Sequence, residues 1–427
     1  MNNDFGYIDN KPFSQINEKE QPLVVMNEEE ESISIKMNGV STTDTFDMFD
    51  SEPGKLTESK IYYGVDSKNH SLSFLNSHII NTTWSSISSL TITSKIYVKS
   101  RESLEQIYHL TPDTKIRKFD YYNDKLLFYF SDNPLTIKRK GLVKELNITA
   151  KRTKPKLLFS VNYKGKIMKV YLIHSFISNG NIHDFSIKPN TYLEIAFNKG
   201  ITVDDVIKIS SRLDSTLHLC ILNKNKSYVA TLYDFSKRSY NLYNLKNKIT
   251  KTKDPVFNVC KNKSERDNIF KCILMQFIDI DFEKNNTFLP FLHFNKEMDF
   301  HELEFLQYYK VLEVIDYEKQ KKKNKGKDNC FLKKYLKKYS KLKDYFFKND
   351  TIDDLEAEIR SLRNYYSHDG FYVDNLPIPT ENPTRYKKID IQWLYDVKRL
   401  VKIIAYLEMY DKSGVVIDEL ELTNHLY

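Results

Sequence analysis

The spacing of apolar residues changes once along this chain of 427 residues, close to residue 200. Before that point, from about residue 60, short runs rich in Ile, Val, Thr, Tyr and Phe alternate with turn residues, which is typical of β-strands. Beyond it, apolar residues recur at steps of three and four, which is typical of helices. The sequence therefore predicts an α+β protein, with a mostly antiparallel N-terminal β domain followed by a C-terminal α-helical bundle.

Composition and spacing together divide the chain into four parts. We expect a polar N-terminal arm over residues 1–60 and a β-rich domain over 61–200. A linking helix and β segment follow over 201–260, and a helical domain occupies 261–427. Apolar residues make up 41% of the chain, which is enough to fill more than one core.

The β-rich part carries signals for individual strands and turns. Residues 90–98 read as one strand, and His174 and His183 flank a stretch interpreted as a polar loop. Two hairpins are predicted, one from residues 119–122 and 126–130 around Asn123 and Asp124, the other from 157–163 and 166–173 around Lys164 and Gly165.

A helix is predicted to begin at Thr202, where the period changes. Thr202 is a favourable N-cap with Asp205 three positions later, and Ile201 and Val206 occupy the positions of a hydrophobic staple. The apolar stripe of this helix consists of Val206, Ile209, Leu213 and Leu217.

The C-terminal part contains five stretches with an apolar face at helical spacing. They cover residues 264–280, 297–318, 330–347, 351–370 and 390–410. Four to five helices around one core form a bundle.

The helix over residues 351–370 carries the most specific pattern in the chain. Thr351 is a favourable N-cap with Asp354 three positions later, and Gly370 is a natural stop. Its predicted apolar seam consists of Ile352, Leu355, Ile359, Leu362 and Tyr366.

Polar residues on the same helix are of the types that RNA cleavage requires. Arg360, Asn364 and His368 lie roughly in line away from the seam, and Arg363 is at its border. Histidine can transfer a proton near neutral pH, arginine can bind phosphate oxygens, and asparagine can orient the histidine or the phosphate. An ideal helix points Arg363 and His368 about 140° apart. A single site can use Arg363 and His368 together if the helix loosens near His368, if the long arginine side chain reaches around the helix, or if a second subunit completes the site.

The stretch Arg363-Asn364-x-x-x-His368 resembles the R-x(4–6)-H signature of the HEPN superfamily of small helical domains. A long β-rich region followed by such helices resembles the ApeA-like anti-phage defence proteins. The resemblance implies a metal-independent endoribonuclease of an abortive-infection system, with Arg363, Asn364 and His368 as catalytic residues and no cofactor. It also implies a homodimer or higher even oligomer, because two motif helices usually face each other in these nucleases. The products would be a 2′,3′-cyclic phosphate and a 5′-hydroxyl.

Alternatives to a nuclease remain open. The helical domain can be a catalytically inactive HEPN-like module that binds RNA or a partner, or the toxin of a toxin–antitoxin pair. Arg363 and His368 can also be ordinary surface residues at a helix end, where a cation suits the helix dipole. In the nuclease interpretation, the β-rich domain senses a trigger, such as a component of a phage, or restrains the nuclease.

A lysine-rich stretch precedes the motif helix and is a candidate RNA-binding surface. Residues 319–343 contain 12 lysines, within a chain whose formal charge is +8. Such a face attracts an RNA backbone, although a merely solvated charged face is an equal alternative. The residues predicted to bind RNA are Lys333, Lys334, Lys337, Lys338 and Arg360.

Other sequence features point to a reduced, metal-free protein of the cytoplasm. The four cysteines are scattered and fit no zinc pattern. The N-terminus has neither the basic nor the apolar region of a signal peptide, and no run of about 18 apolar residues occurs. We therefore expect no metal site, no membrane contact and a cytoplasmic location.

Overall fold

The structure is a computed structural model that divides the chain into two compact units. The β unit comprises Met1–Asp214 and Asn225–Asp254, and the helical unit comprises Ser215–Lys224 and Pro255–Tyr427. The structure describes residues 7–9, 23–28, 33–38, 60–65, 70–83, 89–94, 96–101, 109–111, 113–123, 125–130, 135–140, 145–150, 154–180, 185–221, 229–244, 259, 263–280, 301–322, 331–368 and 391–424. The division into an N-terminal sheet and C-terminal helices confirms the predicted α+β class at this coarse level, while the four-part division of the chain stays a prediction.

The β unit contains one large antiparallel sheet. Its strands are β1 Tyr7–Asp9, β2 Leu23–Glu28, β3 Ile33–Asn38, β4 Lys60–Val65, β5 Ser71–Thr83, β6 Ser89–Ser94, β7 Ile96–Ser100, β8 Ile116–Tyr122, β11 Lys156–Tyr163, β12 Lys166–Gly180, β13 Phe185–Ile201, β14 Val229–Asp234 and β15 Ser239–Asn244. The order is β11-β12-β13-β8-β14-β15-β7-β5-β6-β3-β2, with β4 paired to β5 and β1 to β4. Strands β9 Leu135–Lys140 and β10 Glu145–Ala150 form a separate pair.

The hairpin predicted around Lys164 and Gly165 is confirmed. It joins β11 to β12, which pair in antiparallel register from Tyr163 and Lys166 onward. Both turn residues have positive φ, 49° at Lys164 and 74° at Gly165. This conformation gives the turn a twist that matches the twist of the two strands, and glycine adopts it without steric cost.

The hairpin predicted around Asn123 and Asp124 is wrong, because a helix follows β8. Helix α1 covers Lys125–Phe130 and buries Leu126, Tyr129 and Phe130. The backbone N–H of Lys125 donates to the Asn123 side-chain oxygen at 3.0 Å, so Asn123 opens the helix and does not turn a hairpin. A short apolar run cannot be assigned to strand or helix by its period alone. Here Leu126, Tyr129 and Phe130 are buried together as one face of a helix.

Two further strand predictions differ from the structure. The run 90–98 is divided between β6 and β7, which pair with different parts of β5. His174 lies within β12 and is buried, with its ring Nδ1 3.0 Å from the Thr191 hydroxyl on β13. The interpretation of His174 as a loop residue is therefore wrong, and His183 lies outside the described residues.

Helix α2 covers Val203–Ile221 and begins as predicted. The backbone N–H of Asp205 donates to the Thr202 hydroxyl at 3.2 Å, and the Asp205 carboxylate accepts from the Thr202 N–H at 3.4 Å. The stripe of Val206, Ile209, Leu213 and Leu217 is fully buried. The boundary between the two units falls within this helix, after Asp214.

The helical unit is built on six helices in the described part of the chain. They are α3 Lys263–Ile280, α4 His301–Lys322, α5 Phe331–Lys338, α6 Ser340–Phe346, α7 Ile352–His368 and α8 Ile391–Lys412. Helix α4 packs against α7, where the rings of Phe305 and Tyr366 are 6.1 Å apart, and against α8, where Tyr308 and Tyr406 are 6.0 Å apart. None of the described helices is both long and apolar enough to cross a membrane.

Two helices of this unit differ from their predicted form. The amphipathic stretch 330–347 is broken at Tyr339, whose φ of −110° and ψ of 53° separate α5 from α6. The second half of helix α8 is not buried on one side only, because every residue from Val401 to Tyr410 is buried. Polar residues in a helical segment that is covered on all sides need partners.

Candidate active site

Helix α7 positions the candidate catalytic residues and begins as the sequence predicts. The Thr351 hydroxyl accepts the N–H of Asp354 at 3.1 Å and donates to the Asp354 carboxylate at 2.8 Å. Leu355, Ile359 and Leu362 are fully buried along the predicted seam. Burial of one face fixes the rotation of the helix, so its opposite face is directed away from the core.

Arg363 is held by groups on both sides of its guanidinium. One terminal nitrogen donates to a Glu313 carboxylate oxygen on α4 at 3.1 Å, and the other donates to the Asn364 side-chain oxygen at 3.1 Å. The guanidinium carbon lies 5.9 Å from the centre of the Tyr309 ring. Two of the five guanidinium N–H groups are thus used in these bonds, and the side chain is 27% exposed.

The structure brings Arg363 and Asn364 together, and Asn364 is exposed to solvent. His368 is the last residue of α7. Its side chain lies outside the described part of the structure, so the relative direction of Arg363 and His368 stays a prediction.

Glu313 and Tyr309 are the residues that the sequence reasoning did not assign to this site. Glu313 stood out only as a polar position on the predicted helix over 297–318. Its side chain is 11% exposed and also accepts an ion pair from Lys310 at 2.9 Å. One signal in the sequence could have identified Glu313, because an arginine beside an apolar seam needs an acidic partner from a neighbouring helix.

A cavity of about 450 Å³ lies beside Arg363. Its lining consists of Leu303, Leu306, Gln307, Tyr309, Lys310, Glu313, Arg363 and Ser367. Burial, and then the negative charge of Glu313, raise the pKa of the Tyr309 phenol above its ordinary value. Tyr309 therefore stays protonated near neutral pH and can donate a hydrogen bond.

Four of the five residues predicted to bind RNA have carboxylate partners in the chain. Lys333 pairs with Asp353 at 2.5 Å and Lys334 with Asp316 at 3.7 Å. Lys338 pairs with Glu408 at 2.7 Å, and Arg360 pairs with Glu356 at 3.7 Å. Lys337 is exposed, and no ion pair is seen for it within the described ranges.

Lys338 belongs to a buried ionic cluster around Glu408. The Glu408 carboxylate on α8 is fully buried and accepts hydrogen bonds from Lys319 at 2.6 Å, Lys338 at 2.7 Å and the Tyr339 hydroxyl at 2.9 Å. Burial alone would lower the pKa of Lys338, but hydrogen bonds to Glu408 and Asp411 outweigh it and raise that pKa. Two lysines of the predicted RNA-binding stretch thus neutralise a carboxylate within the helical unit.

In the part of the chain that the structure describes, no three His, Cys, Asp or Glu side chains gather as metal ligands would.

No family model matches the sequence, and no curated protein or solved structure gives a match.

Proposed function

We propose that the chain is a metal-independent endoribonuclease of an abortive-infection system, with its site at the C-terminal end of α7. The observation that carries the proposal is the pair Arg363 and Asn364, hydrogen-bonded to each other at the surface, one helical turn before His368. The resemblance of this stretch to the HEPN nuclease motif supplies the reaction. The cavity beside Arg363 gives room for a nucleotide, since ligand sites commonly enclose about 300–1,000 Å³.

Each residue has a distinct role in the proposed cleavage. Arg363 neutralises the charge that develops on the phosphate, because a guanidinium is always protonated and offers paired donors. His368 transfers the proton of the ribose 2′-hydroxyl, of the 5′-oxygen leaving group, or of both in turn. Asn364 holds Arg363 and presents its amide N–H groups to the substrate.

The proposed site is completed by a second copy of the chain. Five residues separate Arg363 from His368, so an ideal helix directs them about 140° apart. When two α7 helices face each other, Arg363 and His368 of both copies can contribute to one site. We place the protein in the cytoplasm as a homodimer or higher even oligomer, with the β unit responding to a phage-derived trigger.

Incubation of the purified protein with total RNA in the presence of EDTA tests the proposal. Wild type should cleave, and His368→Ala and Arg363→Ala should each lose most of the activity while remaining folded. His70→Ala in the β unit is the matched histidine control and should cleave like wild type. Activity that EDTA abolishes and Mg²⁺ restores would contradict the mechanism, and a fully active His368→Ala would contradict the site.

One observation favours a second candidate, a helical module that binds RNA or a protein partner without cleaving. Arg363 already has an intramolecular carboxylate partner in Glu313, as a structural arginine would. In that case the same incubation leaves RNA intact with wild type and all variants. Binding of RNA without cleavage would then identify the second candidate.

A further inference from the structure

In the region of β8, one face of the sheet is covered, and the opposite face is open around Lys118. Phe119 and Tyr121 are fully buried, and the Tyr121 hydroxyl donates to Asp214 on α2 at 2.5 Å. Helix α2 therefore covers the face to which these residues belong. Because side chains alternate along a strand, Lys118 points to the opposite, open face, where it is about one-third exposed.

The strand register places a small residue between two lysines on the open face. Lys169 on β12 is opposite Ala196 on β13, and Ala196 is opposite Lys118 on β8. In the neighbouring row, Tyr171 on β12 is opposite Glu194 on β13. The short alanine side chain leaves a depression, with the longer side chains of both rows as its walls.

This depression is a recess of about 550 Å³ with a positive lining. Arg117 lies at an irregularity in the pairing of β8 with β13, between Ile116 and Lys118, where side chains need not alternate. It lines the recess together with Lys118, Lys169 and a single carboxylate, Glu194. Lys118 is neutralised by Glu194 at 2.5 Å. Arg117 and Lys169 are exposed, and neither has an ion-pair partner among the residues that the structure describes. The recess therefore carries two positive charges for an anionic ligand.

An aromatic wall accompanies these charges. Tyr171 lines the recess and is half-buried, and Ile167 beside it is 47% exposed. Lys118 is fixed between Glu194 and the Tyr233 ring, whose centre is 4.8 Å from the ammonium nitrogen. A flat apolar surface next to free cations matches a ligand that joins a planar ring to a phosphate.

We propose that this recess binds a nucleoside phosphate, with the phosphate on Arg117 and Lys169 and the base stacked on Tyr171. The ligand is either a free nucleotide or one nucleotide of a single RNA strand, since both present the same groups. The site lies in the β unit and does not depend on the proposed nuclease activity. It would give the β unit a ligand of its own.

Equilibrium binding to the full chain tests the proposal with two probes. The first probe is a nucleoside 5′-monophosphate, with each of the four tested in turn and its binding measured by calorimetry. The second is a 2′-O-methyl oligoribonucleotide of about eight mixed nucleotides, within the usual length bound by single-strand sites and resistant to attack by the 2′-oxygen. Arg117→Gln and Lys169→Gln should each weaken binding about tenfold, because each removes a charge-assisted contact to phosphate. Lys188→Gln is the matched control, since Lys188 is exposed on β13 outside the recess.

A pair of substitutions at Tyr171 tests the stacking separately. Tyr171→Phe keeps the ring and should bind like wild type, whereas Tyr171→Ala should lose about fivefold or more. Mononucleotide binding with these losses identifies a free nucleotide as the ligand, and losses seen with the oligonucleotide alone identify an RNA strand. If neither probe is affected by Arg117→Gln or Lys169→Gln beyond the effect of Lys188→Gln, the proposal is overturned. It is also overturned if Tyr171→Ala binds as tightly as Tyr171→Phe.

Discussion

Arg363 shows how a neighbouring side chain sets the properties of a candidate catalytic residue. Its guanidinium is fixed by Glu313 from α4 and by Asn364 from its own helix. A fixed guanidinium loses little further freedom when phosphate arrives, which favours reaction in the bound state. Glu313 is therefore a positioning residue in the proposed nuclease.

Replacing Glu313 separates positioning from binding. In Glu313→Ala, the single-turnover rate at saturating RNA should fall about tenfold or more, because a misplaced charge stabilises the transition state poorly. The RNA dissociation constant should not rise, since a negative charge near phosphate has been removed. Glu313→Gln keeps a hydrogen-bond acceptor for Arg363 and should recover most of the rate. A Glu313→Ala variant that cleaves like wild type would show that Arg363 needs no support.

Asp214 makes the stability of the β unit depend on pH. Burial raises the pKa of this carboxyl to about 7 from 3.8, although hydrogen bonds from Tyr121 and Asn123 act in the opposite direction. Between these pH values the folded chain keeps a proton that the unfolded chain releases. The contribution of this group to the free energy of unfolding is therefore greatest below pH 4. It decreases as the pH rises to about 7, by at most about 1.4 kcal/mol per pH unit.

The neutral variant Asp214→Asn should remove this dependence. Its melting temperature should fall less than that of wild type between pH 5 and pH 8, and at pH 8 it should equal or exceed the wild-type value. Some dependence should remain, because burial also raises the pKa of Asp120 to about 6. Exposed Asp113→Asn is the control and should follow wild type. Parallel melting curves for Asp214→Asn and wild type would show that the Asp214 carboxylate is not destabilised by burial.

At the scale of elements, the lysine-rich helix α5 serves two purposes that the sequence does not separate. Lys333 forms an exposed pair with Asp353, worth about 0.2–1 kcal/mol, which a phosphate can replace, whereas the Asp316 partner of Lys334 is buried. Lys338 instead neutralises the buried Glu408 on α8. Adjacent lysines on one helix thus differ in their partners because they face different neighbours.

Lys337→Gln and Lys338→Gln should therefore behave differently. Lys337→Gln should raise the RNA dissociation constant, reduce its salt slope by about 0.7 for a single strand, and leave the melting temperature unchanged. Lys338→Gln should lower the melting temperature, because a neutral amide cannot compensate a buried carboxylate. Filter binding at several salt concentrations and thermal melting measure the two effects. The joint replacement of Lys333, Lys334, Lys337 and Lys338 should weaken RNA binding without changing the single-turnover rate.

Unchanged affinity and salt slope in that quadruple variant would assign the lysine-rich stretch to solvation and packing alone. A lower melting temperature for Lys337→Gln would show that this residue, too, has a structural partner.

At the scale of the whole molecule, the proposed nuclease requires association through α7. Light scattering should find a homodimer or higher even oligomer at micromolar concentration, and activity per chain should rise with concentration until assembly is complete. The reason is geometric, because ideal helical spacing directs Arg363 and His368 about 140° apart, and in the proposed site a second α7 supplies the residue that one helix directs away. A monomer that is fully active would contradict the composite site.

The sequence by itself determined those features that depend on near neighbours along the chain. The N-caps at Thr202 and Thr351, the turn at Lys164 and Gly165, and the buried stripes of α2 and α7 follow from local hydrogen bonding and spacing.

Only the tertiary structure decided the features that depend on packing between elements. It made residues 125–130 a helix, placed His174 inside a strand, and covered the second half of α8 on all sides. It also joined Glu313 to Arg363 and Glu408 to Lys319 and Lys338 across long stretches of chain. Ion pairs of this kind depend on which sides of two helices pack together. Local periodicity carries no information about a residue's partner on another helix.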